Sequence, residues 1–380
     1  MTKLSVLSRP TVDEPSVGTG AATSMMQMEA RSALDGLCRP DLIQLQPNLF
    51  ALQFDLMKIV PARFILENAL ETGLLKAGGL VVESSSGTFA LGLAIVCANL
   101  GLRLSLVTGQ LEEALEWRLR QLGTSIEKVF SGTGYMGGIQ QKRLDRLSQV
   151  MADNPGSFWP RQYDNPLHPV AYAALAEAAA KALGRIDFLV ASVGSGGSIS
   201  GFARILRKSN PQLSVIAVDH NLSVLFGPTS GEATPLCREC YEPLLGMGSD
   251  IVIPNVDHTQ CDEVHWVPVA KMINAIHHMH QHYGLLLGPT AGAAYTIADW
   301  VAQANPDSKV LTIFPDHGIR YIKTVYNGEW LKQRAEELQR TWDQPKLVAS
   351  PTAVGSDWAI YPWGRRSYPE VLGHGPVSRQ

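Results

Sequence analysis

Short apolar runs alternate along this chain with stretches in which apolar residues return every three or four positions. Leu80-Val81-Val82-Glu83 is such a run; it breaks at Ser84-Ser85-Ser86-Gly87, and Thr88-Phe89-Ala90-Leu91-Gly92-Leu93-Ala94 follows at helical spacing. This reads as a buried strand, a tight loop and the N-terminus of a helix. Two short strands are predicted before it, at Leu42–Leu45 and Leu49–Phe54. A helix then follows Lys58, with Phe64, Ile65, Leu66, Ala69 and Leu70 on one face. Pro61 fits in its first turn, where a missing N–H is harmless, and Gly73 is placed to end it. Downstream, strands are predicted at Leu102–Thr108, Phe188–Val193, Ser214–Val218, Val264–Val267 and Lys309–Phe314. Helices are predicted over 112–122, 140–151 and 171–183 and from about Ile199, with a glycine-rich loop over 132–138. Strand–helix units with near-continuous apolar strands, and no internal repeat, predict an α/β fold with parallel sheets covered on both faces.

Composition narrows this picture. The 380 residues allow two modest domains or one large one with a tail, and 45% hydrophobic against 18% charged residues suits a large core. A net charge of −3 offers no basic field for nucleic acid. No apolar run is long enough to span a membrane, and no basic start followed by an apolar stretch marks a secretion signal. Five cysteines without regular spacing suggest reduced thiols in a cytoplasm. Residues 1–30, rich in Ser, Thr, Gly, Pro and Met, read as a flexible arm, and 339–380, rich in Pro, Trp, Gly and Ser, as an irregular extension.

Three stretches could carry chemistry. The loop Ser84–Thr88 puts hydroxyls and unpaired N–H groups at the positive end of a helix dipole, a seat for a carboxylate or a phosphate; a purely steric turn is the other reading. Gly194-Ser195-Gly196-Gly197-Ser198 lets backbone approach a ligand at another helix start, which suits a phosphate, although its glycines could also be steric. It is no Walker loop, because no Lys-Ser/Thr follows the last glycine, and it lacks the spacing of a dinucleotide fingerprint. Lys58 stands between an apolar strand and a helix. Desolvated there, it could form a Schiff base; facing water, it would be an ordinary surface lysine. Cys237-Arg238-Glu239-Cys240 has no second pair at metal spacing and reads as structural or incidental. His277, His278, His280 and His282 read as a solvated helix face, so no metal is expected.

The order of these motifs resembles the cysteine synthase and cystathionine β-synthase family, pyridoxal phosphate enzymes of fold type II. The similarity runs from about Leu42 to Tyr326. Glu67-Asn68-Ala69 is similar to the family's Glu-Asp-Ala on the helix after its Schiff-base lysine, here Lys58. Glu83–Gly87 resembles the start of its Glu-Pro-Thr-Ser-Gly-Asn-Thr-Gly loop. Gln162-Tyr163-Asp164-Asn165-Pro166-Leu167-His168-Pro169 resembles its Gln-Phe-x-Asn-Pro-x-Asn-Pro. Gly194–Ser198 resembles the phosphate loop Gly-Thr-Gly-Gly-Thr, and Gly246-Met247-Gly248 its Gly-Ile-Gly near the substrate. Thr290, in Gly288-Pro289-Thr290-Ala291-Gly292, falls where the family has a serine on the pyridine nitrogen. Pro315-Asp316-His317-Gly318-Ile319-Arg320-Tyr321 resembles its Pro-Asp-x-Gly-x-Arg-Tyr.

The resemblance implies a two-domain fold type II enzyme with pyridoxal 5′-phosphate between the domains. The smaller α/β domain would cover 48–170, and the larger cofactor-phosphate domain 31–47 and 171–338. Lys58 would be the catalytic residue. Thr88, Gly194, Ser195, Gly196, Gly197, Ser198 and Thr290 would hold the cofactor with it. Ser85, Ser86, Gly87, Thr88, Phe89, Gln162 and Gly246 would line the substrate site. The implied activity is β-replacement on an activated serine-type amino acid by a small nucleophile, cysteine synthase-like and through an aminoacrylate, in a cytoplasmic homodimer without nucleic-acid or membrane partners. Alternatives are a related β-eliminating or β-replacing enzyme, such as a diaminopropionate synthase or a cysteine desulfhydrase, and a non-catalytic binding protein that keeps the fold. The chain departs from the pattern where Asn-Thr becomes Thr88-Phe89 and Lys-Asp-Arg becomes Lys58-Ile59-Val60, and its segment before the lysine is shorter than the family's Asn-Pro-x-Gly-Ser. Phe89 is therefore expected to make the pocket beside the substrate carboxylate more apolar and to alter the substrate.

Overall fold

All five residues of Val310–Phe314 are buried, and this strand lies inside an eight-stranded sheet. The computed structural model describes residues 32–130, 138–227, 246–249 and 251–373. The arm expected over 1–30, residues 132–137 of the glycine-rich loop, and Cys237 and Cys240 lie outside these residues. The strands are β1 (Asp41–Gln46), β2 (Leu49–Gln53), β3 (Leu80–Glu83), β4 (Arg103–Thr108), β5 (Ser125–Lys128), β6 (Phe188–Ser192), β7 (Ser214–Asp219), β8 (Glu263–Trp266), β9 (Val310–Phe314), β10 (Lys346–Leu347) and β11 (Ala359–Pro362).

The large sheet has the order β1-β2-β9-β6-β7-β8-β11-β10, and β3-β4-β5 form a second, all-parallel sheet. From β2 to β8 every neighbour in the large sheet is parallel. Its apolar residues divide by alternation: Leu189, Ala191, Val215 and Ala217 enter one core cluster, while Val190, Ile216 and Val218 enter another. The second cluster is completed by the helices Val269–Tyr283 and Pro289–Ala304. A sheet buried on both faces needs apolar residues at odd and even positions alike, so its strands read as continuous apolar runs.

Two expectations need correction, and one strand was not foreseen. The segment 339–373 is not wholly irregular: β11 pairs antiparallel with β8, and β10 extends the edge. A boundary at residue 48 would assign β2 to the smaller domain, yet β2 pairs along its whole length with β9 of the large sheet. Ser125-Ile126-Glu127-Lys128 is a strand although no residue in it is buried, because it pairs with β4 at the edge of the small sheet. Local pattern does not reveal a strand whose partner alone defines it.

The helix Ile59–Glu71 packs on the helix Thr88–Leu100, and Gly92 makes that approach possible: a Cβ there would stand 2.8 Å from the Lys58 carbonyl oxygen. The helix of the small-sheet unit is thereby pressed against the backbone of the candidate lysine.

Candidate active site

Parallel strands present their C-terminal ends on one side, and ligands in open α/β sheets bind there. The end of β2 leads to Lys58, that of β6 to Gly194–Ser198, and that of β9 to Pro315–Tyr321. The chain before Lys58 is tied to the β9 loop, since Met57 N–H donates to the Pro315 carbonyl at 2.8 Å. From the small sheet, the loop after β3 joins the same place: Gly87 lies beside Arg320, whose Nη1 is 3.9 Å from the position of a Cβ on that glycine.

Lys58 sits at the N-cap of its helix and its Nζ donates to Ser195 Oγ, so the two sequence candidates meet directly. Burial pushes the amine down to about 7, because a charged ammonium loses hydration there. A lysine so placed is partly neutral at neutral pH and nucleophilic.

The helix after β6 begins at Gly197, two residues earlier than the apolar spacing suggests, with Gly196 as N-cap at φ 77°. A side chain at Gly196 would be strained, and its Cβ would stand 2.5 Å from the Val256 nitrogen. Among the described residues no side chain caps this helix end. A Cβ on Gly194 would run into the Gly246 carbonyl, and Gly248 N–H donates to Val193 O at 2.7 Å, which holds the segment 246–248 against the cradle. Thr290, buried in the first turn of Pro289–Ala304, faces Gly246: its Cγ2 is 3.6 Å from a Cβ position there. Backbone donors at a helix start, room only for glycine, and two serine hydroxyls fit a phosphate monoester; the adjacent amine fits its aldehyde. These residues therefore suit pyridoxal phosphate.

Ser85 is buried, and Ser86, Gly87 and Thr88 are half-buried at the start of Thr88–Leu100. Glu83 anchors this loop: its Oε1 accepts from Ser84 N at 2.8 Å and from Trp159 Nε1 at 2.9 Å. Burial raises its pKa, so the ionised form is disfavoured. Phe158 exchanges backbone hydrogen bonds with Leu80 and Val82, which lays the following segment beside β3 and brings Gln162 near the loop. Arg161 precedes it at φ 56°, a left-handed conformation that a non-glycine residue adopts at a cost of about 1–2 kcal/mol.

Phe89 does not line an open pocket. Its ring is 1% exposed, lies in the core and stacks on His168 at 6.0 Å with 19° between the planes. On a buried helix the second residue turns inward with its neighbours, and the aromatic ring follows the apolar face. Two residues unassigned from sequence belong here. Arg320 was visible only as part of a motif. His168 stood where the resembling pattern has Asn, and that departure was its signal. Of the histidine cluster, His278, His280 and His282 are exposed, and His277 meets Val325 O at 2.8 Å. No metal-holding group occurs among the described residues.

Comparisons with known proteins identify the family and the fold. A relative from Cupriavidus metallidurans, an N-(2-amino-2-carboxyethyl)-L-glutamate synthase, is 33% identical over 77% of this chain and 84% of its own. A protein of the same name from Ralstonia nicotianae is 34% identical over 72% and 80%. The crystal structure of an O-acetylserine dependent cystathionine beta-synthase from Helicobacter pylori superposes with a TM-score of 0.69, covering 79% of this chain and all of that one at 24% identity, and shares the fold. The model of the pyridoxal-phosphate dependent enzyme family matches residues 57–316, and the chain belongs to that family.

Proposed function

We propose that this enzyme catalyses β-replacement on an activated serine-type amino acid, with a small amine or thiol as the incoming group. The observation that carries the reading is the desolvated Lys58 amine held by Ser195 of the glycine cradle, beside a serine loop that opens a helix. Pyridoxal phosphate, when bound, supplies an electron-accepting ring that eases loss of the Cα proton and of a β-substituent. The residues that would hold it are Lys58, the cradle Gly194–Ser198 and Thr290, with Thr88 at the edge. Thr290 would offer the cofactor ring a neutral hydroxyl rather than a carboxylate, so it would not hold a proton there as a carboxylate would.

The remaining steps belong to the chain. Ser85, Ser86 and Gly87 bind the substrate carboxylate with hydroxyls and backbone N–H groups at the positive end of a helix dipole, and Gln162 adds its amide. Arg320, beside Gly87, adds charge on the same side. Lys58, once free, is the base at Cα; an amine titrating near 7 can both take and return a proton at neutral pH. The two relatives' name describes a glutamate carrying a 2-amino-2-carboxyethyl group, which favours a nitrogen nucleophile over a thiol. In this reading the loops of the two sheets belong to two domains with the substrate between them, and the protein works in the cytoplasm as a homodimer.

The test is a spectral and turnover screen of O-acetylserine, O-phosphoserine, serine and cysteine, with glutamate or sulfide as acceptor and products read by mass spectrometry. Replacement products that need both partners and vanish in Lys58→Ala are the expected result. Pyruvate formed without an acceptor would instead mark an eliminating enzyme. Cofactor binding with no turnover would mark a binding protein.

A further inference from the structure

His168 is fully buried, yet one of its nitrogens has no partner among the described residues. Its Nδ1 lies 2.5 Å from the Gln162 carbonyl oxygen, which can only accept, so Nδ1 carries the hydrogen and Nε2 presents a bare lone pair. That Nε2 is 2.7 Å from the position of a Cβ on Gly197, the first residue of the helix after β6. The unpartnered nitrogen therefore borders the same helix N-terminus that the glycine cradle opens. An orphaned polar atom this deep calls for a ligand. The groups around the ring are few in kind. Phe89 stacks on one side and Tyr172 lies on another, 6.1 Å away between centroids, with a phenol that burial keeps neutral. Lys58 acts on it electrostatically from the start of Ile59–Glu71.

We propose that His168 is a ligand of the cofactor phosphate, sharing one proton between Nε2 and a phosphate oxygen while Nδ1 holds the Gln162 backbone. This rests on the cofactor site described above. The free ring is kept neutral, chiefly by burial and then by Lys58, with its pKa down to about 3. The shared proton thus enters from solvent together with the phosphate dianion; one N–H···O bond forms, and nothing is oxidised or reduced. One imidazole then couples the phosphate seat to Gln162 of the substrate site, and Phe89 fixes its plane. The two departures from the resembling family at these positions, Phe89 and His168, are in this account a single device.

Binding separates a phosphate ligand from a packing residue. Dissociation constants for pyridoxal 5′-phosphate and for pyridoxal, which lacks the phosphate, are measured on the full chain and on His168→Phe and His168→Gln. Loss of a charge-assisted hydrogen bond predicts about 10- to 100-fold weaker pyridoxal phosphate binding in His168→Phe, with pyridoxal binding nearly unchanged. Calorimetry with inorganic phosphate, in buffers of different ionisation heat and at an alkaline pH where the phosphate is a dianion, should show about one proton more taken up by the parent than by His168→Gln, which keeps a donor but cannot ionise. The second measurement stands if His168→Phe does not fold. Equal weakening of both ligands, or equal proton uptake by parent and His168→Gln, overturns the assignment while leaving the cofactor site intact. A parent that binds neither ligand overturns both.

Discussion

Lys58 has its chemistry from where it stands rather than from what it is. Its amine would titrate at 10.5 in the unfolded chain and does so near 7 in the fold. Between these values the unfolded state binds more protons, so this group makes the cofactor-free protein more stable as pH rises from 7 to 10.5 and opposes folding fully below 7. Lys58→Met should therefore stabilise the cofactor-free protein at neutral pH by about 2–4 kcal/mol and flatten its stability across that window. Urea midpoints of parent and variant against pH measure this. A variant less stable than its parent at neutral pH would mean the lysine is better solvated than its burial indicates. The lysine was visible in sequence as an oddly placed polar residue; its desolvation was not, because Ser195, which it meets, is 137 positions away.

At the level of elements, the site is set by how closely helices approach. In Gly92→Ala the added methyl would enter van der Waals space of the Lys58 carbonyl, and helix Thr88–Leu100 would have to shift. We expect a fall in kcat of roughly tenfold or more together with a lowered melting temperature, since the methyl meets buried backbone that cannot swing aside. Steady-state kinetics beside thermal unfolding separate the two. Exchanging Thr88-Phe89 for Asn-Thr tests the loop itself. Because the Phe89 ring is packed on His168 and not exposed to substrate, Phe89→Thr should cost about 2–4 kcal/mol of stability by leaving a cavity, whereas Thr88→Asn should be nearly neutral. A double-mutant cycle of Phe89→Thr with His168→Asn should show coupling of about 0.5–1.5 kcal/mol in denaturant unfolding. Additive effects would show that the stacked pair is incidental.

Over the whole molecule, the C-terminal segment closes the large sheet. Trp363 is fully buried against Phe226 and His258, and Trp358 reaches His265 Nδ1 at 3.2 Å with Lys271 4.5 Å over its ring. Trp363→Ala should cost about 3–5 kcal/mol and lower the melting temperature accordingly. Ending the chain after Gln344 should leave β8 as an open edge and give an aggregating protein. A truncated form that stays monodisperse in light scattering with an unchanged melting temperature would show that β10 and β11 are dispensable.

The amino-acid order alone determined the parallel sheet, the strand ends that carry loops, and the glycine cradle. Each of these is a local pattern: an apolar run of strand length, or glycines where backbone must turn and a Cβ has no room. Tertiary structure decided what pattern could not express. Tyr361 became a strand residue because β8 offers it an edge, and Leu347 because β11 does in turn, although their own segment is rich in turn-forming residues. Phe89 turned toward the core, where His168, 79 positions on, presents a ring to stack upon, and Arg161 took a left-handed backbone. Sequence periodicity registers which face of an element is apolar. Which distant group meets that face is fixed only when the elements pack, and the desolvation, stacking and unpaired nitrogen of this site all arise at that stage.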